Sequence, residues 1–308
     1  MSKTILITGA SGLIGNSLTR LLALKGYRIH HLTRFKSHKN PLIKTFGWDV
    51  RNKKIDSDCI KETDIIIHLA GEGIAGKRWT SQRKQNIINS RTESIRLIYS
   101  LLRQSPGHQV KKIISSSAVG YYGDRGDLLL TESTPPGTGF LSKTCVAWEQ
   151  AVDEGVSLGI KTVKLRTGMV LSTEGGALPQ IAKPIKLGVG TVLGSGKQWV
   201  SWIHLQDVTR MFLFAIENES VEGSFNMTAP NPVTQTELTY AIARELNKRI
   251  WLPRTPSFIL KLVLGEMSSV VLDSTKTSAS KIQSAGFQFN FPTIEEALAS
   301  IYGNKKTH

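Results

Sequence analysis

The feature that most constrains the fold is a glycine-rich turn near the amino terminus, between an apolar run and a helical pattern. Residues 8–15 read Thr-Gly-Ala-Ser-Gly-Leu-Ile-Gly. The run before it, residues 3–8, has almost no polar interruption, which is typical of a parallel strand buried on both faces. Apolar residues at helical spacing follow over residues 13–25, and Gly26 ends that pattern. This order of strand, turn and helix predicts a nucleotide-binding turn.

Each glycine of such a turn has its own predicted task. Gly9 permits the tight turn, Gly12 lets a pyrophosphate approach the backbone, and Gly15 lets the helix pack closely on the strand. The phosphates would meet free backbone N–H groups and the positive end of the helix dipole. The residues of the turn that we predict to contact a bound dinucleotide are Gly9, Ser11, Gly12, Leu13 and Ile14.

Strand-like runs alternate with helical patterns over the first 170 residues. Strands are predicted at residues 3–8, 27–32, 45–48, 64–69, 110–116 and 162–166, and helices at 13–25, 80–103 and 145–158. This alternation predicts right-handed crossovers and an α/β fold with a doubly wound, Rossmann-type parallel sheet.

The pattern changes after residue 170, where glycine and proline become frequent, and residues 230–301 then read as mostly helical. We therefore predict a nucleotide-binding domain over residues 1–170. Residues 171–308 form a smaller, mostly helical substrate-side region. The two are expected to be partly interleaved, with residues 225–227 returning to the sheet.

The end of the second predicted strand indicates which dinucleotide is bound. NAD sites commonly carry an acidic residue there, which holds the ribose 2′-hydroxyl. Here the strand ends Leu-Thr-Arg at residues 32–34, without Asp or Glu, and Lys36 and Lys39 follow nearby. A guanidinium offers a planar fork of donors that suits a phosphate. We therefore predict that Arg34 binds the 2′-phosphate of NADP; the alternative is an arginine exposed to solvent.

Further motifs are spread along the chain. They are G-x-x-G-x-x-G at residues 9–15, Leu-Ala-Gly-Glu at 69–72, Ser-Arg at 90–91, Ser-Ser-Ser-Ala at 115–118, Tyr-Tyr-Gly at 121–123, Trp-Glu at 148–149, Leu-Arg-Thr-Gly-Met-Val at 165–170 and Trp-Ile-His at 202–204. Together they resemble the extended branch of the short-chain dehydrogenase/reductase superfamily. Within it, the chain resembles the atypical "epimerase family protein" group, related to nucleoside-diphosphate-sugar epimerases. Residues 251–298 resemble that group's small appended domain.

This resemblance implies NADP as the cofactor and assigns roles to further residues. It implies that Thr33 stands with Arg34 at the adenosine 2′-phosphate. It also implies that Leu69, Ala70 and Gly71 form the loop under the adenosine side of the cofactor, and that Arg91 faces the cofactor from the long helix. The substrate is left open, because the group has no settled reaction.

The Tyr-x-x-x-Lys pair that performs proton chemistry in the superfamily is missing. In that pair the ammonium lowers the pKa of the phenol, which can then exchange a proton near neutral pH. The matching segment, residues 139–149, places Gly139 or Leu141 at the tyrosine position, and Lys143 or Cys145 at the lysine position. None of these four residues supplies a phenol.

Other polar residues nearby are the remaining candidates for catalysis. Ser117 fits the superfamily's serine, and with Tyr122 and Lys143 it forms our predicted catalytic set. Tyr121, Glu72, His204 and bound water stay open as sources of the proton. For each side chain the structural alternative is a packing or hydrogen-bonding role without chemistry.

Two functions fit these features. The first is an NADP(H)-dependent oxidoreductase or epimerase-like enzyme that acts on a small polar molecule, such as a sugar derivative. The second is a non-catalytic NADP(H)-binding sensor or regulatory protein, which the missing Tyr-Lys pair favours.

Composition bears on partners and compartment. The net charge of +15 is spread along the chain, so we interpret it as a solvated surface and expect no nucleic-acid partner. Cys59 and Cys145 have no metal or redox spacing, and no metal site is predicted. No apolar run approaches the roughly 20 residues of a membrane span, and residues 1–15 do not resemble a signal peptide. We expect a cytoplasmic protein without a membrane partner, either a monomer or a dimer.

Overall fold

The computed structural model describes residues 3–34 and 43–303 of the chain. Its strands are β1 Thr4–Thr8, β2 Arg28–Thr33, β3 Ile43–Asp49, β4 Lys54–Ile55, β5 Ile65–His68, β6 Lys112–Ala118, β7 Leu129–Leu130, β8 Lys161–Thr167, β9 Met169–Leu171, β10 Trp199–Val200, β11 Trp202–His204, β12 Gly223–Met227, β13 Val233–Thr234 and β14 Lys276–Thr277. Its α-helices are α1 Leu13–Leu24, α2 Ser81–Arg103, α3 Phe140–Asp153, α4 Leu178–Lys186, α5 Leu205–Glu217, α6 Gln235–Glu245, α7 Ser257–Leu264, α8 Ser269–Leu272, α9 Ser280–Ser284 and α10 Ile294–Tyr302. Short 3₁₀ helices cover Ser57–Ile60, Val119–Tyr121, Glu154–Leu158 and Gly265–Ser268.

The main sheet has the strand order β12-β8-β6-β5-β1-β2-β3-β4. Every neighbouring pair is parallel except β3 and β4. The chain runs outward from β1 to β2 and β3, then returns to β5 on the other side of β1. Ligands of such sheets bind where the strand order reverses, at the carboxyl ends of the strands. The predicted doubly wound Rossmann-type sheet is therefore confirmed, and its switch point is the end of β1.

The β1 strand shows why the apolar run at the amino terminus is unbroken. Ile5 and Ile7 face an apolar core that includes Leu18 of α1, whereas Leu6 faces a second core that includes Ile98 of α2. All five β1 residues are buried. Both faces of the strand are thus covered by helices, and a polar residue on either face would lose its contact with water.

Most predicted elements are confirmed, with shifts at their ends. The strand predicted at residues 110–116 is β6, Lys112–Ala118, and the helix predicted at 145–158 is α3, Phe140–Asp153. The α3 helix begins five residues earlier than predicted because Gly139 in extended conformation serves as its N-cap. It continues into the 3₁₀ helix Glu154–Leu158, which ends at Gly159, a C-cap in the left-handed conformation with φ +71°.

Part of the chain beyond residue 171 belongs to the main sheet. The β12 strand pairs with β8 along its five residues, which confirms the predicted return of residues 225–227. Helix α5 packs against α1. The later helices surround a separate apolar core that includes Trp202, Leu238 and Leu298. The boundary at residue 170 stays a prediction. No helix in residues 3–34 and 43–303 is long and apolar enough to cross a membrane.

Candidate functional site

The glycine turn lies at the switch point, and its three glycines differ in what surrounds them. A Cβ on Gly9 would stand 2.7 Å from the Leu69 carbonyl oxygen, and the φ of Gly9 is +67°. A Cβ on Gly15 would overlap the Gly9 carbonyl oxygen. A Cβ on Gly12 would meet only that same oxygen, at 3.3 Å. The fold itself therefore requires Gly9 and Gly15, whereas Gly12 borders space that the protein leaves open.

Helix α1 begins at this open space without a capping side chain. Gly12 is its N-cap in extended conformation, and no acidic residue lies in the first turn. The first N–H groups of a helix have no partners within the helix and concentrate its positive dipole end. The start of α1 is therefore suited to an anion such as a pyrophosphate.

A cavity of about 340 Å³ opens at the start of α1. It is lined by the glycine turn, by Leu69 and Ser116 at the ends of β5 and β6, and by residues of the segment 169–177. Of the predicted cofactor residues, Gly9, Gly12, Leu13, Ile14 and Leu69 line this cavity. Ser11 is exposed in the turn beside it.

The loop after β5 is held by two side chains. The Thr8 hydroxyl oxygen accepts hydrogen bonds from the backbone N–H groups of Leu69 and Ala70, each at 3.1 Å. Arg91 of α2 donates to the Glu72 carbonyl oxygen at 3.0 Å, and its guanidinium lies 5.0 Å from the Trp148 ring. Gly71 passes so close that a Cβ there would stand 3.1 Å from Arg91 Cζ. Arg91 thus fixes the loop that was predicted to pass under the cofactor.

The residues predicted at the 2′-phosphate lie at the same edge of the sheet. Thr33 ends β2, and Arg34 follows it with an exposed side chain. Because β1 and β2 are parallel neighbours, Arg34 and the glycine turn both stand at the carboxyl ends of their strands. Lys36 and Lys39 lie outside the described residues. The role of Arg34 stays a prediction.

The predicted catalytic serine is held by a buried ion pair. Ser117 is 3 % exposed and donates a hydrogen bond to Glu149 Oε1 at 2.7 Å. Arg166 Nε and Nη2 donate to the two oxygens of the same carboxylate, at 2.8 Å each. The Ser117 hydroxyl is therefore engaged within the protein.

Tyr122 belongs to the same buried network. Its side chain has no exposed surface, its hydroxyl donates to Asn226 Oδ1 at 2.6 Å, and it accepts a bond from Arg166 Nη1 at 2.9 Å. Burial raises the pKa of Tyr122 to about 12. A phenol in this setting keeps its proton at neutral pH and has no path to a substrate, so the geometry argues against a catalytic Tyr122.

Lys143 does not join the other two candidates. It lies on the exposed side of the first turns of α3, and its ammonium makes no ion pair or hydrogen bond with the described residues. Cys145, the other occupant of the superfamily's lysine position, is buried, and that burial raises the pKa of its thiol to about 12. The structure thus brings Ser117 and Tyr122 into one network and leaves Lys143 at the surface.

The further candidates for the proton are held in other contacts. Glu72 forms an ion pair with Arg83. His204 Nδ1 accepts the Gln206 backbone N–H at 3.1 Å, and burial lowers the pKa of its imidazole. Both side chains serve as local structural contacts in this geometry. Within the described ranges no cluster of three or more His, Cys, Asp or Glu side chains could hold a metal ion.

Ser116, Glu149 and Arg166 lie in sequence motifs but received no predicted role there, and Asn226 was not singled out from the sequence. Successive strand residues point to opposite faces of a sheet. Ser116 and Ser117 therefore face different sides, and strand alternation alone could have separated them. The ion pair of Glu149 with Arg166 joins α3 to β8, and no local sequence pattern predicts this contact.

A second cavity of about 290 Å³ lies among the loop after β6 and the C-terminal helices. Polar groups line it, including Asp124, Ser195, Lys261 and Asp273. Burial, together with the nearby Asp124 carboxylate, raises the pKa of Asp273 to about 6. The cavity is separate in its lining from the one at the glycine turn.

The sheet topology and the glycine turn together define a Rossmann-type protein with a candidate nucleotide site. The model of the NAD dependent epimerase/dehydratase family matches residues 5–227, and that of a domain of unknown function (DUF1731) matches residues 255–301. The protein belongs to the NAD-dependent epimerase/dehydratase family.

Individual relatives agree with this assignment and confirm the resemblance to the epimerase family protein group. The chain is 35 % identical over 304 residues to epimerase family protein YfhF of Bacillus subtilis, covering 98 % of this chain and 99 % of that one. The structure is similar to that of human epimerase family protein SDR39U1 solved with NADPH, with a TM-score of 0.85, 27 % identity and coverage of 98 % and 99 %. The UDP-glucose 4-epimerase of Thermus thermophilus, in complex with NAD, shares the fold at a TM-score of 0.75 and 18 % identity, covering 99 % of this chain and 100 % of that one.

Proposed function

We propose that this protein binds NADP(H) at the glycine turn and acts as an oxidoreductase or epimerase-like enzyme on a small polar substrate. The observation that carries the proposal is the cavity at the switch point of the sheet. There an uncapped helix start, an open position at Gly12 and a buried hydroxyl at Ser116 meet in one space.

The residues present fit a dinucleotide. Gly12 borders space that a Cβ would partly fill, as expected where a pyrophosphate approaches the backbone. The N–H groups at the start of α1 would hold that pyrophosphate, and Arg34 would hold the 2′-phosphate. The human relative SDR39U1 was solved with NADPH, which supports NADP over NAD together with the absence of an acidic residue after β2.

Bound NADP(H) would supply hydride transfer. The chain itself orients the cofactor through the glycine turn and through the Leu69–Ala70 loop, which Thr8 fixes. The buried network of Ser117, Glu149 and Arg166 joins β6, α3 and β8 to one another, and its three residues are not among those that line the cavity. Because Tyr122 is buried and Lys143 lies at the surface, the remaining sources of a proton are the half-buried Tyr121, the substrate's own groups and water.

A second candidate function is a non-catalytic NADP(H)-binding sensor. The observation in its favour is the state of the three predicted catalytic groups, two of which are buried in structural bonds while the third is exposed at the surface. Proton transfer by a positioned side chain is typically worth 10²–10⁴-fold in rate. A protein without such a group keeps the cofactor but turns substrates over slowly.

Titration with NADPH and NADH, followed by the fluorescence of the reduced nicotinamide, tests the binding step. The Gly12→Val variant is the matched control, because its side chain would enter the pyrophosphate space. Binding of NADPH by the wild-type protein and not by the variant supports the proposal, and equal behaviour contradicts it.

Two assays together separate the two functions: oxidation of NADPH with a panel of carbonyl compounds and oxidised sugars, and interconversion of nucleoside-diphosphate sugars, which leaves the cofactor unchanged overall. Turnover that depends on an intact Gly12 supports the enzyme. Tight binding without turnover in either assay supports the sensor.

A further inference from the structure

The Ser116 hydroxyl stands out among the buried polar groups near the cavity. Ser116 is 9 % exposed, and its Oγ has no hydrogen-bond partner within the described part of the chain. A buried hydroxyl without a partner is unfavourable, because it has given up its hydrogen bonds to water and gained none in return. Its neighbours Ser115 and Ser117 are both paired, with His68 and Glu149 respectively. Ser116 alone of these three serines lines the cavity at the glycine turn.

The position of Ser116 along the sheet shows which part of a dinucleotide it can reach. The glycine turn follows β1, and the strand order β6-β5-β1-β2 places β6 two strands from β1, on the side away from β2. Neighbouring strands lie 4.7–4.9 Å apart, so Ser116 is about 10 Å along the edge from the end of β1. Arg34 stands in the opposite direction, at the end of β2.

A dinucleotide whose pyrophosphate sits at the start of α1 must therefore place its two halves on opposite sides of β1. The half with the 2′-phosphate extends toward Arg34. The other half extends across β5 to β6. There Met169, Val170 and Ala177 give the cavity an apolar wall beside the single hydroxyl. That wall fits a planar ring, and the hydroxyl fits a polar substituent or a ribose hydroxyl.

We propose that Ser116, which was not among the predicted cofactor-binding residues, is the side chain that positions the nicotinamide half of the cofactor. This rests on the proposed function, since it assigns a contact within the same site. Ser116 is a positioning residue here, because its hydroxyl completes its own hydrogen bonding only when the nicotinamide half is bound.

The test compares two ligands in two variants. NADPH carries both halves, whereas adenosine 2′,5′-bisphosphate carries only the adenosine half. Ser116→Ala is expected to raise the Kd for NADPH about threefold to tenfold, the range of one neutral hydrogen bond, and to leave the Kd of the fragment within about twofold. Ser117→Ala is the matched control, and it should change neither Kd beyond about twofold.

Thermal melting gives a second, independent readout. Ser116→Ala removes an unpaired buried hydroxyl, so the free variant should melt at or above the wild-type temperature, with a smaller rise on adding NADPH. Ser117→Ala breaks a buried bond, so it should melt lower and keep the full rise. Ser116→Cys, with a weaker hydrogen-bonding group, should fall between wild type and Ser116→Ala in its NADPH affinity.

The possible failures are distinguishable. A wild-type protein that binds neither ligand overturns the proposed function. Wild-type binding that is unaffected in Ser116→Ala, or weakened equally for NADPH and the fragment, overturns the role of Ser116 alone. A loss of NADPH affinity in Ser117→Ala as large as that in Ser116→Ala does the same.

Discussion

Glu149 on α3 and Arg166 on β8 form a two-pronged ion pair, with two N–H···O bonds of 2.8 Å, and both residues are almost completely buried. Ser117 and Tyr122 bond to this pair from either side. A buried pair of charges adds little net stability compared with apolar residues, yet removing one partner leaves the other charge uncompensated. Removal of one charged partner should therefore lower the stability of the protein much more than the intact pair raises it.

Glu149→Gln is expected to lower the free energy of unfolding by about 3–5 kcal/mol, because it leaves the Arg166 charge buried without its counter-ion. Urea denaturation at neutral pH measures this. Lys143→Met is the control, and as a surface change away from other contacts it should stay within about 0.5 kcal/mol of wild type. A Glu149→Gln protein as stable as the control would show that water reaches Arg166.

The second prediction concerns the choice of cofactor. If Arg34 holds the 2′-phosphate, NADPH should bind more tightly than NADH by roughly tenfold or more, since a hydrogen bond to a charged group contributes about 1.5–3 kcal/mol. Arg34→Asp should abolish or reverse that preference, because it repels the phosphate and offers an acceptor to the ribose 2′-hydroxyl. Titrations of both cofactors measure the ratio, and an unchanged ratio in Arg34→Asp would place the phosphate elsewhere.

The third prediction contrasts two glycines of the same turn. Gly12→Val should retain a cooperative melt and lose NADPH binding, because its side chain enters open space in the cavity. Gly15→Ala should instead destabilise the whole protein, because its Cβ overlaps the Gly9 backbone. Melting curves with and without NADPH separate the two effects. The assignment of the pyrophosphate to Gly12 fails if Gly12→Val binds NADPH as wild type does.

The fourth prediction is a dependence of stability on pH that arises from Asp273. Its pKa is raised from 3.8 to about 6 in the folded protein, chiefly by burial. A carboxyl with a raised folded pKa contributes stability that is fully present below pH 3.8 and is lost as the pH rises through about 6. Asp273→Asn should therefore be more stable than wild type at pH 8, by about 1 kcal/mol once partial solvent contact is allowed for.

Urea midpoints at pH 8 and pH 4 measure this difference, which should shrink at the lower pH. Asp124→Asn is the companion variant. This variant removes the Asp124 charge, the second cause of the raised pKa of Asp273, but leaves Asp273 buried. It should therefore gain only part of the stability that Asp273→Asn gains at pH 8. A difference between Asp273→Asn and wild type that is the same at both pH values would contradict the shifted pKa.

The sheet could be predicted from the sequence because its central strands are continuous apolar runs that are visible in the sequence itself. The β1 and β5 strands are each a continuous run of buried residues, and Gly15 packs closely against the backbone of Gly9 and Ala10, a few residues before it. Such features depend on residues close together in the chain. The start of α3 was less predictable, because a glycine N-cap leaves no side-chain signature.

The catalytic set could not be predicted in the same way. Whether a serine faces the cavity or helix α3 depends on its exact position along the strand. Ser116 and Ser117 are consecutive residues, so their side chains lie on opposite faces of the sheet. The burial of Tyr122 depends on Asn226 and Arg166, which lie 104 and 44 residues away along the chain. Contacts of this length carry no periodicity that a single sequence reveals.

The place of β12 has a consequence for how the protein can be taken apart. This strand comes from late in the chain, yet it covers the edge of β8, and α5 just before it packs on α1 behind the glycine turn. Cutting the chain between residues 170 and 171 would expose the backbone N–H and C=O groups of β8 and one flank of α1 at once. An isolated amino-terminal fragment should therefore aggregate rather than bind nucleotide. In the intact protein, the parts before and after residue 170 should unfold together in a single cooperative transition.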